Sequence, residues 1–169
     1  MNRREMTAYL SALLEERLDP RNDQRVYWAK EVTFGYSADE ATVRVDYMQF
    51  KPKNNTVSGI EKGDFYCFEI KSCVDDFHSP NGHNLIGDFN YYVMSELTYK
   101  AVQNEIPFRV GVMIPTTDWK GDAILSCAKK ASRMDREKPV NEMLMMMYRS
   151  HGREVAKMRR LLGKEGVKT

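Results

Sequence analysis

Residues 64–71 have the sequence DFYCFEIK, a short apolar run that carries one glutamate and one lysine near its end. Three of its eight residues are aromatic, which is typical of a β-strand, and the side chains of a strand alternate between its two faces. Alternation places Glu69 and Lys71 on one face with Phe65 and Cys67. The sequence therefore predicts a strand that presents a carboxylate and an ammonium group side by side.

A second strand with a single carboxylate is predicted over residues 41–50. Its apolar and polar residues alternate, so that Asp46 faces away from Val45 and Tyr47. If this strand is a neighbour of the strand 64–71 in the sheet, Asp46 lies beside Glu69. Two strands would then bring two carboxylates and one lysine to one place.

The rest of the chain shows helical and strand patterns separated by turn residues. The pattern predicts a helix over 3–18, a hairpin of strands 27–36 and 41–50 with a turn at 37–40, loops over 51–63 and 72–87, a helix over 88–105, a buried strand over 108–114, a short element near 123–132 and a helix over 140–162. A helix between two buried strands indicates a βαβ crossover with parallel strands, whereas the first hairpin is antiparallel. We therefore expect an α/β (α+β) fold with a mixed central sheet and C-terminal helices.

Composition indicates one domain in a reducing compartment. Of the 169 residues, 42% are apolar and 11% aromatic, which suffices for one core, and we expect a single domain over 1–169 with a basic helical extension over about 139–169. No apolar stretch approaches the roughly 20 residues of a membrane helix, and the charged N-terminus is unlike a signal peptide. The three cysteines form no C-x-x-C pair, which argues against a disulfide framework or a structural zinc site. We expect a cytoplasmic protein without a membrane partner.

Charge is unevenly distributed along the chain. Residues 129–169 contain twelve Lys or Arg and five Asp or Glu, whereas the first 128 residues contain 14 positive and 19 negative charges. A basic segment suits a nucleic acid partner, although a solvated helix face produces the same pattern. Our candidates for contacts with nucleic acid are Arg153, Lys157 and Arg160. The helix 140–162 is also rich in methionine, so an interface in a homo-oligomer is an alternative.

The trio Asp46, Glu69 and Lys71 has a chemical use that an isolated strand pattern lacks. Two carboxylates at neighbouring strands suit Mg²⁺, which takes one or two carboxylates together with waters and phosphate oxygens. A metal at such a site activates water and stabilises charge on a phosphate, and a lysine beside it neutralises the charge that develops. A cross-strand ion pair on a polar strand face is the alternative explanation for Glu69 and Lys71.

Four segments carry a resemblance to a known family: Arg44-Val45-Asp46, Phe68-Glu69-Ile70-Lys71-Ser72, Asp76-Phe77 and Tyr99-Lys100-Ala101-Val102. They resemble the MmcB-like DNA-repair group of the PD-(D/E)XK nuclease superfamily. The resemblance implies a restriction-endonuclease-like αβββαβ core, an Mg²⁺ or Mn²⁺ ion and a nucleic acid substrate, for which we take DNA. It also implies that Asp46 and Glu69 are metal ligands and that Lys71 is the catalytic cation. Two departures are Val45, where the family motif has proline, and residues 78–87, which resemble an insertion.

Two further site residues are expected, one catalytic and one a metal ligand. Many members of the superfamily place a glutamate of the first helix near the metal, which here is Glu15 or Glu16. We favour Glu16, because it borders the apolar face of the predicted helix, whereas Glu15 is expected to point into solvent. The backbone carbonyl of Ile70 is a third candidate metal ligand, because it lies between Glu69 and Lys71.

Other residues with chemical potential receive structural interpretations. His83 and Asn84 lie in the expected insertion near the site, where we take them as incidental loop residues. Asp76 is interpreted as a cap or turn residue, and Tyr92 is expected on the helix 88–105. The leading hypothesis is a metal-dependent deoxyribonuclease. The alternatives are a DNA-binding module that keeps the nuclease fold without cleaving and an oligomer-forming domain.

Overall fold

The computed structural model describes residues 1–21, 23, 25–35 and 42–165, the last two of these without their side chains. The predicted turn at 37–40 lies outside the described residues. The elements in chain order are α1 (Arg3–Leu18), β1 (Tyr27–Phe34), β2 (Val43–Lys51), α2 (Val57–Glu61), β3 (Asp64–Lys71), α3 (Val74–Phe77), β4 (Phe89–Met94), α4 (Glu96–Val102), β5 (Gly111–Thr117), β6 (Ala123–Lys129) and α5 (Val140–Glu165).

The six strands form one mixed sheet in which spatial order follows chain order, β1-β2-β3-β4-β5-β6. The β1–β2, β2–β3 and β5–β6 pairs are antiparallel, whereas β3, β4 and β5 are mutually parallel. The α/β (α+β) fold class with a mixed sheet is therefore confirmed. Between α1 and β4 the elements follow in the order α1, β1, β2, α2, β3, α3, β4, and the two helices inside this stretch are short, with five residues in α2 and four in α3.

Helices cover both faces of the sheet. On one face α1 begins with a capping box between Asn2 and Glu5 and buries four leucines against the sheet, each worth about 1.5–3 kcal/mol of apolar burial. We call its core the α1 cluster: Leu10, Leu13, Leu14, Leu18, Tyr47, Phe68, Ile70, Tyr91, Val93, Met113, Leu125 and Ala131. On the other face the α5 cluster contains Ala29, Val32, Phe34, Val45, Met48, Phe50, Phe65, Cys67, Ile86, Met143 and Met147. The α4 cluster lies beside it and contains Phe77, Tyr92, Met94, Val102, Ile106, Val110 and Val112.

The prediction of a helix over 88–105 is wrong in its first half. Residues 89–94 form β4, between β3 and β5, and α4 begins only after Ser95, whose side chain accepts a hydrogen bond from the Thr98 backbone N–H. Five of the six residues of β4 are buried, because a parallel strand in the centre of a sheet is covered on both faces. Such a strand shows no apolar alternation, so its apolar residues also fit a helical spacing.

The following strand lies later than predicted, at Gly111–Thr117 instead of 108–114. Phe108 is 87% exposed and precedes the strand. Pro115 lies within β5, but β5 pairs with β4 only up to Met113 and beyond that only with β6. Proline is tolerated in strands that lack a neighbour on one side, because a missing N–H on that side costs no ladder hydrogen bond.

Short helices interrupt both predicted loops, with α2 inside 51–63 and α3 inside 72–87. The final helix is confirmed, and it runs to Glu165. Within the described residues, none of the helices is long and apolar enough to span a bilayer.

Candidate active site

The strands β1, β2 and β3 are irregular at the level of Asp46. In the β1–β2 ladder, Glu31 and Asp46 are not paired, although the register is the same on both sides of them. The β2–β3 ladder ends at the pair of Tyr47 and Phe68. Extending both registers by one pair puts Asp46 between Glu31 on β1 and Glu69 on β3. The sheet thus has a local gap where Asp46 lies.

The alternation of side chains also shifts at this level. Val45 and Met48 both pack in the α5 cluster although they are three residues apart, and Tyr47 packs in the α1 cluster. The prediction that Val45 and Tyr47 share a face is therefore wrong. The Asp46 carboxylate lies across the gap, where its Oδ2 accepts a hydrogen bond from the Ile70 backbone N–H at 2.9 Å. Burial raises the pKa of Asp46, against the effect of that hydrogen bond.

Glu69 is a buried carboxylate without a partner. Its side chain is 1% exposed, and neither Oε1 nor Oε2 accepts a hydrogen bond within the described part of the chain. Burial, with Asp46 nearby as the second cause, raises the pKa of Glu69 to about 9. The charge of Lys71 and the backbone and side-chain N–H groups of Asn84 oppose this shift. Neither Asn84 group has hydrogen-bond geometry to Glu69, and the side-chain amide donates to the Arg44 carbonyl at 2.6 Å. Without a cation, Glu69 therefore keeps its proton at neutral pH.

The Lys71 ammonium group is also buried, at 1% exposure, and backbone carbonyls hold it. Its Nζ donates to the carbonyls of Asn81 at 2.7 Å and Asp76 at 3.2 Å. Burial lowers the pKa of Lys71, and the nearby Asp76, Glu69 and Asp46 oppose this effect. The lysine lies on the same strand face as Glu69, as the sequence predicts, but residues 76–81 fix its position.

Residues 78–87, which we call the covering loop, lie over Glu69 and Lys71. Gly82 has a φ of 70°, and a Cβ there would lie 3.1 Å from Lys71 Nζ and 3.2 Å from Glu69 Oε2. Glycine is thus favoured both by the backbone conformation and by the closeness of these two groups. The expected insertion is therefore the cover of the site.

His83 fixes the covering loop to the fold. Its Nε2 is 2.8 Å from the Phe77 carbonyl, which only accepts, so Nε2 carries the proton and Nδ1 accepts from the Tyr92 hydroxyl at 2.7 Å. The His83 ring also packs edge-on against the rings of Phe77 and Tyr92. Tyr92 is available to His83 because it lies on β4 opposite Glu69, rather than on a helix.

A polar cleft of about 410 Å³ opens on the other side of Asp46, between α1, β1, β2 and α5. Its charged lining consists of four cations and four carboxylates: Arg3, Lys30, Arg44, Lys157, Glu31, Asp46, Asp76 and Glu154. Of the predicted trio, Asp46 lines this cleft, whereas Glu69 and Lys71 lie under the covering loop. Because these charges balance, the cleft has an excess of positive charge to attract a phosphate only when a metal cation is bound in it.

Asp76 has the structural role predicted for it. Its carboxylate accepts hydrogen bonds from the Ser72 backbone N–H and the Ser72 hydroxyl, both at 2.9 Å, and from Arg3 at 2.6 Å. Against the effect of burial, the hydrogen bonds from Ser72 and the charge of Arg3 lower the pKa of Asp76. Asp76 therefore fixes the turn directly after Lys71.

The expected orientation of the helix glutamates is wrong. Glu15 accepts a hydrogen bond from the Tyr47 hydroxyl at 2.7 Å, whereas Glu16 is exposed. Thr7 and Ser11 precede Glu15 at intervals of four residues, so the three share one stripe of α1, and Thr7 and Ser11 line the cleft. This spacing is the sequence signal that Glu15, rather than Glu16, is the glutamate that faces the body of the protein. Neither glutamate lines the cleft itself.

The three predicted basic residues of α5 occupy different positions. Lys157 lines the cleft, and Arg160 is exposed on the part of the helix that leaves the body. Arg153 donates from NH2 to the Glu31 carbonyl at 2.9 Å and to the Ser150 hydroxyl at 3.2 Å. Arg153 therefore contributes to docking α5 on β1. Among the methionines, Met143 and Met147 are buried, whereas Met145 is 55% exposed.

Comparison with protein-family models, curated proteins and solved structures gives no match. Within residues 1–21, 23, 25–35 and 42–165, no three His, Cys, Asp or Glu side chains are grouped as a metal site. A cation at Asp46 and Glu69 would therefore take its remaining ligands from backbone, water or substrate.

Proposed function

We propose that this protein is a Mg²⁺- or Mn²⁺-dependent nuclease that hydrolyses phosphodiester bonds in DNA, in DNA repair or processing. The observation that carries the proposal is the juxtaposition of Asp46 with Glu69, whose two oxygens are buried and without hydrogen-bond partners. A cytoplasmic location is part of the same proposal, in line with three cysteines that are all free thiols.

The residues present fit a divalent cation. A buried carboxylate without a partner is costly in its charged form, and a cation beside it removes that cost. Asp46 and Glu69 would hold the ion, with the Ile70 carbonyl as a further candidate ligand. When bound, such an ion makes a water molecule a better nucleophile and stabilises charge on the phosphate.

The protein's own groups then have separate tasks. Arg44, exposed beside Asp46, is available to bind a phosphate oxygen in the cleft. Lys71, on the other side, offers a buried ammonium group whose charge is strong in a low-dielectric setting. The covering loop must move for Lys71 to approach a substrate, because its ammonium group is bound to the Asn81 carbonyl.

The closed position of the covering loop favours a second candidate function, that of a DNA-binding module that retains the nuclease fold without cleaving. With the covering loop in place, a DNA phosphate in the cleft meets Asp46, whereas Glu69 and Lys71 do not line the cleft. A protein in which the loop never opens would bind a backbone phosphate and leave it intact.

Metal binding provides the first test. We expect the wild-type protein to bind Mn²⁺ in a calorimetric titration and the Asp46→Asn variant to lose that binding, because Asn removes the charged ligand and keeps the shape. Asp75→Asn is the matched control, since Asp75 is exposed on α3 and away from the cleft lining. Equal Mn²⁺ affinity in all three proteins would place the metal elsewhere and remove the basis of the proposal.

The basic helix provides a second test, of affinity rather than of chemistry. We expect the pair Lys157→Gln and Arg160→Gln to weaken binding to duplex DNA of any sequence and to reduce the salt slope by about 0.9 per lost phosphate contact. Arg153→Gln should instead lower the melting temperature, because Arg153 bonds to the Glu31 carbonyl. An unchanged salt slope in the double variant would make this surface a solvated helix face.

A further inference from the structure

The backbone of Glu31 is unusual for its position. Its φ of 52° makes it the one non-glycine residue with a positive φ in the described ranges, and it lies in the middle of β1. This conformation is unfavourable for a residue with a Cβ, and such residues are held at functional sites more often than elsewhere. Something in the fold must stabilise it.

The stabilising contacts come from α5. The Ser150 hydroxyl donates to the carbonyl of Lys30 and, at 3.4 Å, to that of Glu31, and Arg153 NH2 donates to the Glu31 carbonyl at 2.9 Å. Ser150 is 1% exposed, so these contacts lie at a packed junction. Two side chains about 120 positions away in sequence therefore fix one residue of β1.

The consequence is a change in the direction of the Glu31 side chain. Ala29 and Val32 both pack in the α5 cluster, so the alternation of β1 shifts between them. In a regular strand Glu31 would share a face with Ala29 and point into that cluster. Instead Glu31 is exposed and lines the cleft with Asp46, its counterpart in the strand register.

The Glu31 carboxylate also differs from Asp76 and Glu154, two of the other carboxylates of the cleft. Asp76 is bound to Arg3 and Ser72, and Glu154 lies 3.7 Å from Lys30 and 4.0 Å from Lys157. No ion pair of Glu31 occurs among the described residues. Its charge is therefore free to act on a ligand in the cleft.

We infer that Glu31 is a further functional carboxylate of this site. Glu31 holds a hydrated divalent cation from the cleft side, while Asp46 and Glu69 bind the same ion from the sheet. The inference rests on the proposed function. A hard divalent cation keeps several of its waters when it is bound. A carboxylate that does not touch the ion, such as Glu31, accepts hydrogen bonds from those waters.

Two substitutions at Glu31 separate backbone strain from charge. Glu31→Gly accepts the positive φ without a Cβ, and we expect its melting temperature to rise by about 2–4 °C. Glu31→Gln keeps the backbone and removes only the charge. Both variants should bind Mn²⁺ about tenfold more weakly than the wild type in calorimetric titration without substrate, whereas Glu31→Asp should recover part of the affinity.

Glu16→Gln, which removes one negative charge from an exposed position of α1, is the control and should bind Mn²⁺ as the wild type does. Wild-type affinity in Glu31→Gln, together with lost affinity in Asp46→Asn, would overturn the role of Glu31 and leave the proposed function standing. Wild-type protein that binds no Mn²⁺ would remove both. A loss in Glu16→Gln equal to that in Glu31→Gln would reduce the effect to net charge and overturn the role of Glu31.

Discussion

Replacement of Glu69 with Gln is expected to stabilise the metal-free protein increasingly as the pH rises from 5 to 8. The pKa of Glu69 is about 9 in the folded protein, against an ordinary value of 4.5. Between these values the folded state keeps a proton that the unfolded state has lost. Wild-type stability therefore falls by about 1.4 kcal/mol per pH unit through this group, and the loss is complete only above the folded pKa. Gln has no proton to lose and should escape this dependence.

The measurement is urea-induced unfolding of both proteins at a series of pH values in the presence of a chelator. Between pH 5 and pH 7 the free energy of unfolding of the variant should gain about 2 kcal/mol or more on that of the wild type. Glu16→Gln, changed at an exposed position, should follow the wild type at every pH. Parallel curves for wild type and Glu69→Gln would mean that Glu69 is already ionised and paired, contrary to its orphaned oxygens.

The same protonation has a consequence for metal binding. A cation at Glu69 must displace the proton, so binding of Mn²⁺ should release protons and become tighter as the pH rises toward 9. The metal-free protein is thus most stable when Glu69 is protonated. Stability and metal affinity have opposite pH dependences at this residue, as expected of a group whose burial serves a ligand rather than the fold.

Part of the site follows from local sequence rules. Glu69 and Lys71 share a face because strand alternation over residues 64–71 is intact, and the β2–β3 pairing brings Asp46 next to them. Both inferences need only the period of a strand and the pairing of consecutive strands. These rules are local, so they apply wherever a strand is regular.

The gap at Asp46 does not follow from such rules. It depends on Glu31 adopting a conformation typical of glycine, and the groups that stabilise it, Ser150 and Arg153, are distant in sequence. A pattern read along β1 alone gives no sign of this interaction. The direction of Glu31 could therefore be assigned only once the packing of α5 on β1 was known.

Tertiary context also decides the cover of the site. The sequence of residues 78–87 indicates a loop, but its position over Lys71 depends on contacts of His83 with Phe77 and Tyr92. Those contacts require Tyr92 on a strand, and residues 88–94 fit a helical spacing equally well. One misassigned element thus conceals the role of a histidine several residues away.

Replacement of Lys71 with Met is expected to reduce metal-dependent DNA cleavage by a factor of about 10²–10³ or more while the protein remains folded. Removal of one preorganised group that stabilises transition-state charge has an effect of this size. Met preserves the buried stem of the lysine, which matters because the side chain is 1% exposed and a shorter residue would leave a cavity. Cleavage of labelled single-stranded, duplex and branched DNA in Mn²⁺ is the measurement.

Lys100→Met is the matched control, because Lys100 is 65% exposed on α4 and pairs with Glu96 of its own helix. It should cleave as the wild type does. Circular dichroism and the Mn²⁺ titration decide how a loss in Lys71→Met is interpreted, since a folded variant that still binds metal has lost chemistry rather than structure. Full activity of that variant would exclude Lys71 from the reaction.

If instead the wild type binds Mn²⁺ and DNA but cleaves none of the substrates, the closed covering loop over Lys71 and Glu69 is the functional state, and the DNA-binding module becomes the better description of the protein.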